Sequence, residues 1–415
     1  MAKIIFHIDM DAFFVSCERA KNNSLINKPI VIASNLKRAI ISAASYEVKN
    51  LGFKTGDPFY KVKKVIKDLV IIEPHYDLYS MMSTKIFEFI ENNFSKDLEI
   101  YSIDECYIDV TQKYKKYGSP ENMAKEIQKS ILLHFQIPCS IGISYTKFLA
   151  KMSTNKAKTF GIVETKKEDI PSYFYNLPIN KIFGIGRANA PKLNNAGIYT
   201  YEDLLNCKND VLLRKIFGKN YYYLIGDLKG ENEKNQHVLS KTVKSISNSE
   251  TFMINDSNNY LFVINELKKI INNIVNRAND LNLECKEISI SLRTQEKNWL
   301  KKSKTLPNWT NDFEVLWQYA LNLFNTLWND EYIRGVGGSL SYLKSIFDNN
   351  KTINLFEQEK LSKIDRIINN SNYRFGKNLL KTGAQYLKEK SAQQENIKFL
   401  RKNKKPYNKK INLEE

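Results

Sequence analysis

The opening residues 3–10, KIIFHIDM, are mostly apolar and read as a short buried strand. Asp11 follows, and its carboxylate suits the free N–H groups at the start of a helix expected over 12–20. From there to about residue 77 the chain is polar and turn-rich, broken by Gly52, Gly56 and Pro58. Leu78, Met81, Met82, Ile86, Phe89 and Ile90 then fall at helical spacing and predict a helix over 78–94. The run EIYSIDECYIDV, 99–110, predicts two strands around a tight turn at Asp104 and Glu105. Met123, Ile127 and Ile131 predict another helix, and CSIGIS at 139–144 another strand. The order strand, long insert, helix, hairpin, helix, strand suits an α+β layer with helices packed on one sheet.

From about 167 the pattern turns helical and loop-rich. The polar stretch LKGENEKNQHVLSK, 228–241, reads as a linker. Beyond it come a strand (242–252), a helix (260–281), strands (286–294 and about 300–305), a helix (312–327) and a strand (332–343). That order describes a second α+β module. After about 346 the chain is polar, and it ends in a basic run, RKNKKPYNKK.

A chain of 415 residues exceeds one core, so two to four domains are expected. Lys and Arg total 63 against 45 Asp and Glu, for a net charge of +18. Such an excess favours a polyanionic partner, nucleic acid ahead of an anionic membrane, because no amphipathic anchor is evident. Cys17, Cys106, Cys139, Cys207 and Cys285 are scattered and form no C-x-x-C pair. Neither a disulfide framework nor a zinc site is expected, and a reducing cytoplasm fits. The start of the chain does not read as a signal peptide, and no apolar run is long enough to span a membrane.

Three carboxylates stand out. Asp9 closes an apolar strand, and Asp104 and Glu105 sit at the tip of an apolar hairpin. Burying an unpaired charge is costly, so carboxylates in such places need a partner. Magnesium suits a cluster of this kind, since it takes hard oxygen ligands and keeps positions open for phosphates. Taken singly, Asp9 and Asp104 read more readily as ordinary turn or capping residues.

Four runs in order, HIDMDAFFVSCE (7–18), SAASYEVKNLGFKTGDP (42–58), SIDECYIDV (102–110) and GISYTKFLAK…NKAKTFGIV (142–163), resemble the nucleotidyl-transfer core of bacterial Y-family DNA polymerases, the DinB/UmuC-like translesion enzymes. The resemblance extends to about residue 345. It implies an α+β right-hand architecture: palm at 1–10 and 78–166, fingers at 11–77, thumb at 167–235, little finger at 242–345 and a C-terminal tail at 346–415. It also implies template-directed, error-prone synthesis without proofreading, by a monomer in the cytoplasm, on primer–template DNA and deoxynucleoside triphosphates. Two magnesium ions would be held by Asp9, Asp104, Glu105 and the carbonyl of Met10. Phe14 falls at the steric-gate position, where a phenyl ring excludes a 2′-hydroxyl, and Phe13 beside it fits either the sugar pocket or plain core packing.

By the same resemblance, Tyr46, Lys49 and Lys158 hold the triphosphate, with Lys49 where many relatives carry Arg. The segment 181–205 resembles a helix-hairpin-helix with Gly184 and Gly186 in its hairpin, where backbone N–H groups meet a DNA phosphate. Lys241, Lys244, Arg293 and Arg334 would track the template backbone, giving binding that weakens steeply with salt. TINLFEQ (352–358) resembles a short motif that holds a sliding clamp, through Leu355 and Phe356, although Thr352 stands where Gln is usual. Residues 362–380 resemble the C-terminal part of UmuC-like and related Gram-positive members, which favours that branch over the polymerase IV branch. Two other functions remain open at this point: a non-catalytic DNA-binding accessory, and a palm-type nucleotidyl cyclase.

Overall fold

The computed structural model describes residues 3–36, 38–231 and 243–347. The chain divides into two compact units, Met1–Ile346 and Phe347–Glu415, and the second lies almost wholly outside the described residues. In the first unit β1 (Ile5–Met10) is followed by short β2 (Ile30–Ile32), β3 (Ala43–Ala44) and β4 (Val70–Ile72). Then come β5 (Leu98–Ile100), β6 (Glu105–Asp109), β7 (Cys139–Ser144) and β8 (Ile162–Glu164). A five-stranded sheet has the order β5-β6-β1-β7-β8, with β1 central and antiparallel to both neighbours.

All six residues of β1 are buried, because both faces of the sheet are covered. Phe6, Ile8 and Met10 point into a core shared with the helices Tyr76–Asn93 and Pro120–Phe135, through Ile86, Ile90, Ile127 and Ile131. The alternating residues Ile5, His7 and Asp9 therefore occupy the opposite face. There Ile5 packs with Tyr107 and with Ala150 of the helix Lys147–Ala157. This helix comes so close that a Cβ on Gly142 of β7 would stand 2.1 Å from the Ala150 carbonyl oxygen and 2.4 Å from Thr154 N.

The polar stretch before residue 77 holds more structure than its pattern predicts. β2, β3 and β4 form a small sheet of order β3-β2-β4 over its own core of Val31, Ile41, Val48, Phe59 and Val62. Strands of two or three residues are too short for an alternation to register in sequence. Residues 167–231 form short helices around Leu193, Tyr201, Leu204, Leu213 and Leu224. The buried Tyr201 hydroxyl donates to the Leu228 carbonyl at 2.6 Å and ties the last helix, Tyr221–Leu228, to this core.

The second α+β module contains β9 (Ser245–Thr251), β10 (Leu283–Thr294), β11 (Trp299–Thr310) and β12 (Ile333–Ser345), in the antiparallel order β11-β10-β12-β9. The helices Tyr260–Asp280 and Phe313–Leu327 cover one of its faces. β11 runs longer than its sequence predicts, because it is an edge strand with Leu306 as its one buried residue, so no apolar pattern marks it. Arg38, between β2 and β3, reaches this module: its Nη1 lies 2.6 Å from Asp256 Oδ1 and donates to the Phe252 carbonyl at 3.1 Å. No helix among the described residues is long and apolar enough to cross a membrane.

Overpacking a close backbone contact typically costs about 1–3 kcal/mol. Gly142→Ala is accordingly expected to lower stability by about that amount, read as a shift of the denaturant midpoint. An unchanged midpoint would show that the Lys147–Ala157 helix can move away from β7 freely.

Candidate active site on one face of the central sheet

The register of β1 against β6 sets Asp9 directly opposite Glu105. Residues opposite one another in an antiparallel pair share a face, with Cβ atoms about 4.5–5.5 Å apart. Met10 N donates to the Asp104 carbonyl at 2.9 Å, which fixes the turn that carries the third carboxylate beside them. Glu105 opens β6 instead of sitting in the turn, and Tyr101 N and Ser102 N both donate to its carbonyl. Ser102 Oγ donates to Asp104 Oδ1 at 2.6 Å.

Two ammonium groups balance this face. Lys158 Nζ lies 2.8 Å from Asp9 Oδ1, and Lys151 Nζ lies 2.5 Å from Glu105 Oε1. His7, fully buried on β1, turns Nε2 towards Glu105 Oε2 at 3.7 Å and bonds Thr154 Oγ1 through Nδ1 at 2.9 Å. Burial lowers the His7 imidazole to about 4, against the pull of Glu105, so the ring is neutral near physiological pH. Burial raises the Asp9 carboxyl, as does its contact with Glu105, while Lys158 opposes the rise. Burial works the same way on Glu105, but its contacts with His7, Asp9 and Lys151 outweigh it and hold that carboxyl low. The two carboxyls are thus pushed in opposite directions, Asp9 up and Glu105 down, as expected of two close carboxylates that share one site.

The sequence assigns Asp11 to capping the first helix, and the structure overturns that. Ala12 sits in the left-handed region at φ 46°, and the helix Phe13–Lys21 has no side-chain cap. The Asp11 carboxylate turns inward, accepting from Ser140 Oγ at 2.9 Å and Phe160 N at 2.8 Å. It thereby pins the segment that carries Lys158 to β7. Tyr46 extends the cluster, its hydroxyl donating to Asp11 Oδ1 at 3.3 Å, and burial followed by Asp11 keeps that hydroxyl protonated. Lys49 Nζ stands 4.5 Å above the Tyr46 ring. Burial and the charge of Lys158 lower the Lys49 ammonium, so the two cations feel one another across the site.

Phe14 is half-buried beside this cluster, whereas Phe13 is 3 % exposed inside the core under the sheet. Among the described residues no three acidic, imidazole or thiol groups surround one point as a finished cage. The carboxylates are turned instead to Lys158, Lys151 and Ser102. The donor set still fits hard divalent cations. It offers anionic oxygens on one sheet face, tied together by backbone bonds, with cations that can exchange partners.

The other expected contacts are dispersed. Gly184 adopts φ 87°, which a glycine tolerates, and the space a Cβ would take at Gly186 is open, while Ile185 between them is anchored in the core. Lys244 is exposed. Arg293 donates to Thr251 Oγ1 at 2.7 Å and lies 5.7 Å from the Trp299 ring. Arg334 stands 3.9 Å from Asp256, which Arg38 already engages. Lys241, Leu355 and Phe356 lie outside the described residues.

The sequence reading missed what surrounds Arg293. On the face opposite the two helices, the registers align Ser303, Ser289, Ser339 and Ser247 in one row. Lys301, Ser291, Gly337 and Ser249 form the next, and Trp299, Arg293, Gly335 and Thr251 the third. A sheet face paved with small hydroxylated residues lets a polar backbone approach closely, with Lys301 and Arg293 supplying charge. Its signal is the alternation at Ser245, Ser247, Ser249 and Thr251, repeated at Ser289 and Ser291.

Comparison with known proteins agrees with this geometry. The impB/mucB/samB family model matches residues 8–155, the IMS family HHH motif 167–198, and the impB/mucB/samB C-terminal domain 243–355. The chain is 32% identical over 406 residues to a DNA polymerase IV of Bacillus anthracis, covering 94% of this chain and 96% of that one. It is 33% identical over 357 residues to a DNA polymerase IV of Ureaplasma parvum serovar 3, covering 86% and 98%. A solved Y-family DNA polymerase chimera, Dbh-Dpo4(243-245)-Dbh, superposes with a TM-score of 0.71 at 26% identity, covering 82% of this chain and 99% of the chimera. An insertion ternary complex of Dbh DNA polymerase superposes with a TM-score of 0.55 at 26% identity, covering 81% and 98%. These relatives carry the polymerase IV name, so the likeness of 362–380 to UmuC-like chains does not select that branch.

The raised Asp9 carboxyl makes cation binding pH-dependent in a definite direction. A proton on Asp9 must leave before a divalent cation binds, so affinity falls as pH falls. Manganese titrated into the protein, followed by its paramagnetic signal, is expected to bind more weakly in mildly acidic than in mildly alkaline buffer. The limit is about tenfold per pH unit for one displaced proton. Equal affinity in the two buffers would show that no proton has to leave Asp9 before the cation binds.

Proposed function

The chain belongs to the impB/mucB/samB family of Y-family DNA polymerases, and from that premise we propose that it carries out template-directed, error-prone translesion synthesis at the Asp9–Glu105 face. The observation that carries the assignment of the chemistry to this face is the cross-strand pair itself, with Asp104 bonded in beside it. In the right-hand architecture we assign the palm to 1–10 and 78–166, the fingers to 11–77, the thumb to 167–235 and the little finger to 242–345.

The reaction joins a primer 3′-hydroxyl to the α-phosphorus of a deoxynucleoside triphosphate and releases pyrophosphate. We assign two magnesium ions to Asp9, Asp104, Glu105 and the Met10 carbonyl. When bound, they supply the charge that eases removal of the hydroxyl proton and steadies the phosphoryl oxygens. The chain's own residues do the rest. Lys151 holds the Glu105 carboxylate, and the buried His7 Nε2 stands 3.7 Å from it. Lys158 and Lys49 bracket the space by Asp9 and are the groups that receive the triphosphate, with the Tyr46 hydroxyl donating alongside. In that role Lys158 exchanges one anion for another, so its positive charge is never stranded.

We assign Phe14, half-buried in the first turn of the helix Phe13–Lys21, to the gate against a 2′-hydroxyl. Gly184, Gly186 and the serine-paved sheet face with Arg293 and Lys244 receive the phosphate backbone of primer–template DNA. Leu355 and Phe356 are assigned to a sliding clamp, and the working form to a cytoplasmic monomer. A non-catalytic accessory role is not favoured, because every carboxylate the chemistry needs is present.

Purified protein mixed with labelled primer–template, magnesium and single nucleotides is expected to extend the primer only as the template directs. Asp104→Ala should lower the rate by a factor on the order of a thousand, the usual scale for losing charge stabilisation at the reacting centre. Absence of extension by the wild type, with DNA binding retained, would move the accessory reading ahead. In a separate assay, replacing Leu355 and Phe356 together by Ala is expected to abolish capture by immobilised clamp. Undiminished capture would reject that assignment.

A further inference from the structure

The Phe14 ring is backed by the buried Tyr79 and Glu18 and by the exposed Tyr76 and His75. Phe14 and Glu18 are one turn apart on the helix Phe13–Lys21, so both face the start of the helix Tyr76–Asn93. The Phe14 ring stacks on Tyr79, with centroids 4.2 Å apart and planes 12° from parallel. Tyr76 meets the Phe14 ring edge-on at 6.0 Å. Tyr79 is fully buried, and its hydroxyl donates to Glu18 Oε1 at 2.8 Å. His75 Nδ1 meets the same oxygen at 2.8 Å.

Glu18 is only 4 % exposed. A carboxylate so deeply placed is costly unless its oxygens are satisfied, and here both of its donors come from the one segment that carries Tyr79. Stacking by itself fixes the separation of two rings far better than their lateral offset. A hydrogen bond from the far end of Tyr79 to a fixed carboxylate removes that sliding freedom, and Phe14, resting on Tyr79, is fixed with it. Phe13, locked in the core next door, holds the helix itself still.

We propose that Glu18, braced by His75, sets the position of the Phe14 ring through Tyr79 and is therefore a positioning residue for the choice between deoxyribose and ribose. The inference rests on the reading of Phe14 as the sugar gate. Repulsion between a ring and a 2′-hydroxyl changes steeply over a fraction of an ångström, so discrimination depends on where the ring is held as well as on its presence. Loss of the Glu18 anchor frees Tyr79 to slide and lets Phe14 yield to the larger sugar. A deoxynucleotide, which makes no such clash, is affected little.

The test is single-nucleotide insertion by the full chain on primer–template DNA, with kcat and KM measured for a deoxynucleotide and for its ribonucleotide. Glu18→Leu is expected to lower the ratio of the two kcat/KM values about tenfold, the scale of one lost buried hydrogen bond. The change should come through ribonucleotide KM, with deoxynucleotide kcat/KM held within about twofold. Glu18→Gln keeps an oxygen acceptor for Tyr79 and should restore most of the ratio. Tyr79→Phe keeps the stacked ring, removes only the hydroxyl, and should fall with Glu18→Leu. It decides the matter if Glu18→Leu does not fold.

Phe14→Val separates the premise from the inference. If it collapses discrimination while Glu18→Leu and Tyr79→Phe leave the ratio at the wild-type value, the anchoring role is overturned and the gate stands. An equal loss for both sugars in Glu18→Leu and Tyr79→Phe marks a merely structural role and also overturns it. If Phe14→Val leaves discrimination unchanged, the gate reading fails, and the positioning role fails with it.

Discussion

The antiparallel register of β1 against β6 governs the rest of the site, because it decides which face of the sheet carries charge. Asp9 opposite Glu105 means that Ile8 lies opposite Cys106 and Phe6 opposite Ile108. One face is then wholly apolar and packs under two long helices, and the other carries the carboxylates. A slip of one residue would send Asp9 into the hydrocarbon core and bring Ile8 to the reacting face. The same strand that anchors this core through Phe6, Ile8 and Met10 therefore also sets the position of Asp9 on the opposite face. The site cannot drift without unpacking the domain.

Placing anions on a buried face creates an electrostatic difficulty that the helix Lys147–Ala157 and its following loop resolve. Lys151 is on the helix, and Lys158 follows it directly. Gly142 lets that helix lie against β7, close enough for Lys151 to reach Glu105 and for Thr154 to hold His7. Asp11 completes the arrangement by fastening Phe160 N, two residues beyond Lys158. The internal cations keep the acidic face foldable, and their attachment to a single segment lets one of them exchange partners without disturbing the other.

Much of this was legible in the sequence, and the limits of legibility have physical causes. Elements long enough to show a period were readable: the apolar run ending in Asp9, the helix over 78–94, and the paired helices of the second module. The hairpin around Asp104 was readable from its apolar flanks, although Glu105 falls on β6 and not in the turn. The small sheet of β2, β3 and β4 was not, since three residues cannot display an alternation. Nor was the inward turn of Asp11, which depends on a left-handed Ala12 and on partners 129 and 149 residues away in Ser140 and Phe160. Sequence pattern reports which face a side chain takes along its own element. It does not report which distant element meets that face, and the partners of Glu18, Asp11 and Arg293 are all of that second kind.

The distribution of rigidity explains how one chain can be strict about chemistry and lenient about its template. The carboxylates stand on the central strand pair of a five-stranded sheet, covered on both faces. The groups assigned to the nucleotide come from thinner support: Tyr46 and Lys49 from a four-residue helix, and Phe14 from the first turn of a nine-residue one. The contacts assigned to the template backbone come from one face of a four-stranded sheet, where serines stand in rows with Lys301 and Arg293 among them. Reacting atoms are thus held by a core that cannot yield, while the surroundings of the templating base are held by surface contacts that can. On the assignment proposed here, phosphoryl transfer at the Asp9 face would depend on the arrival of a primer end and a triphosphate more than on the shape of the base pair between them.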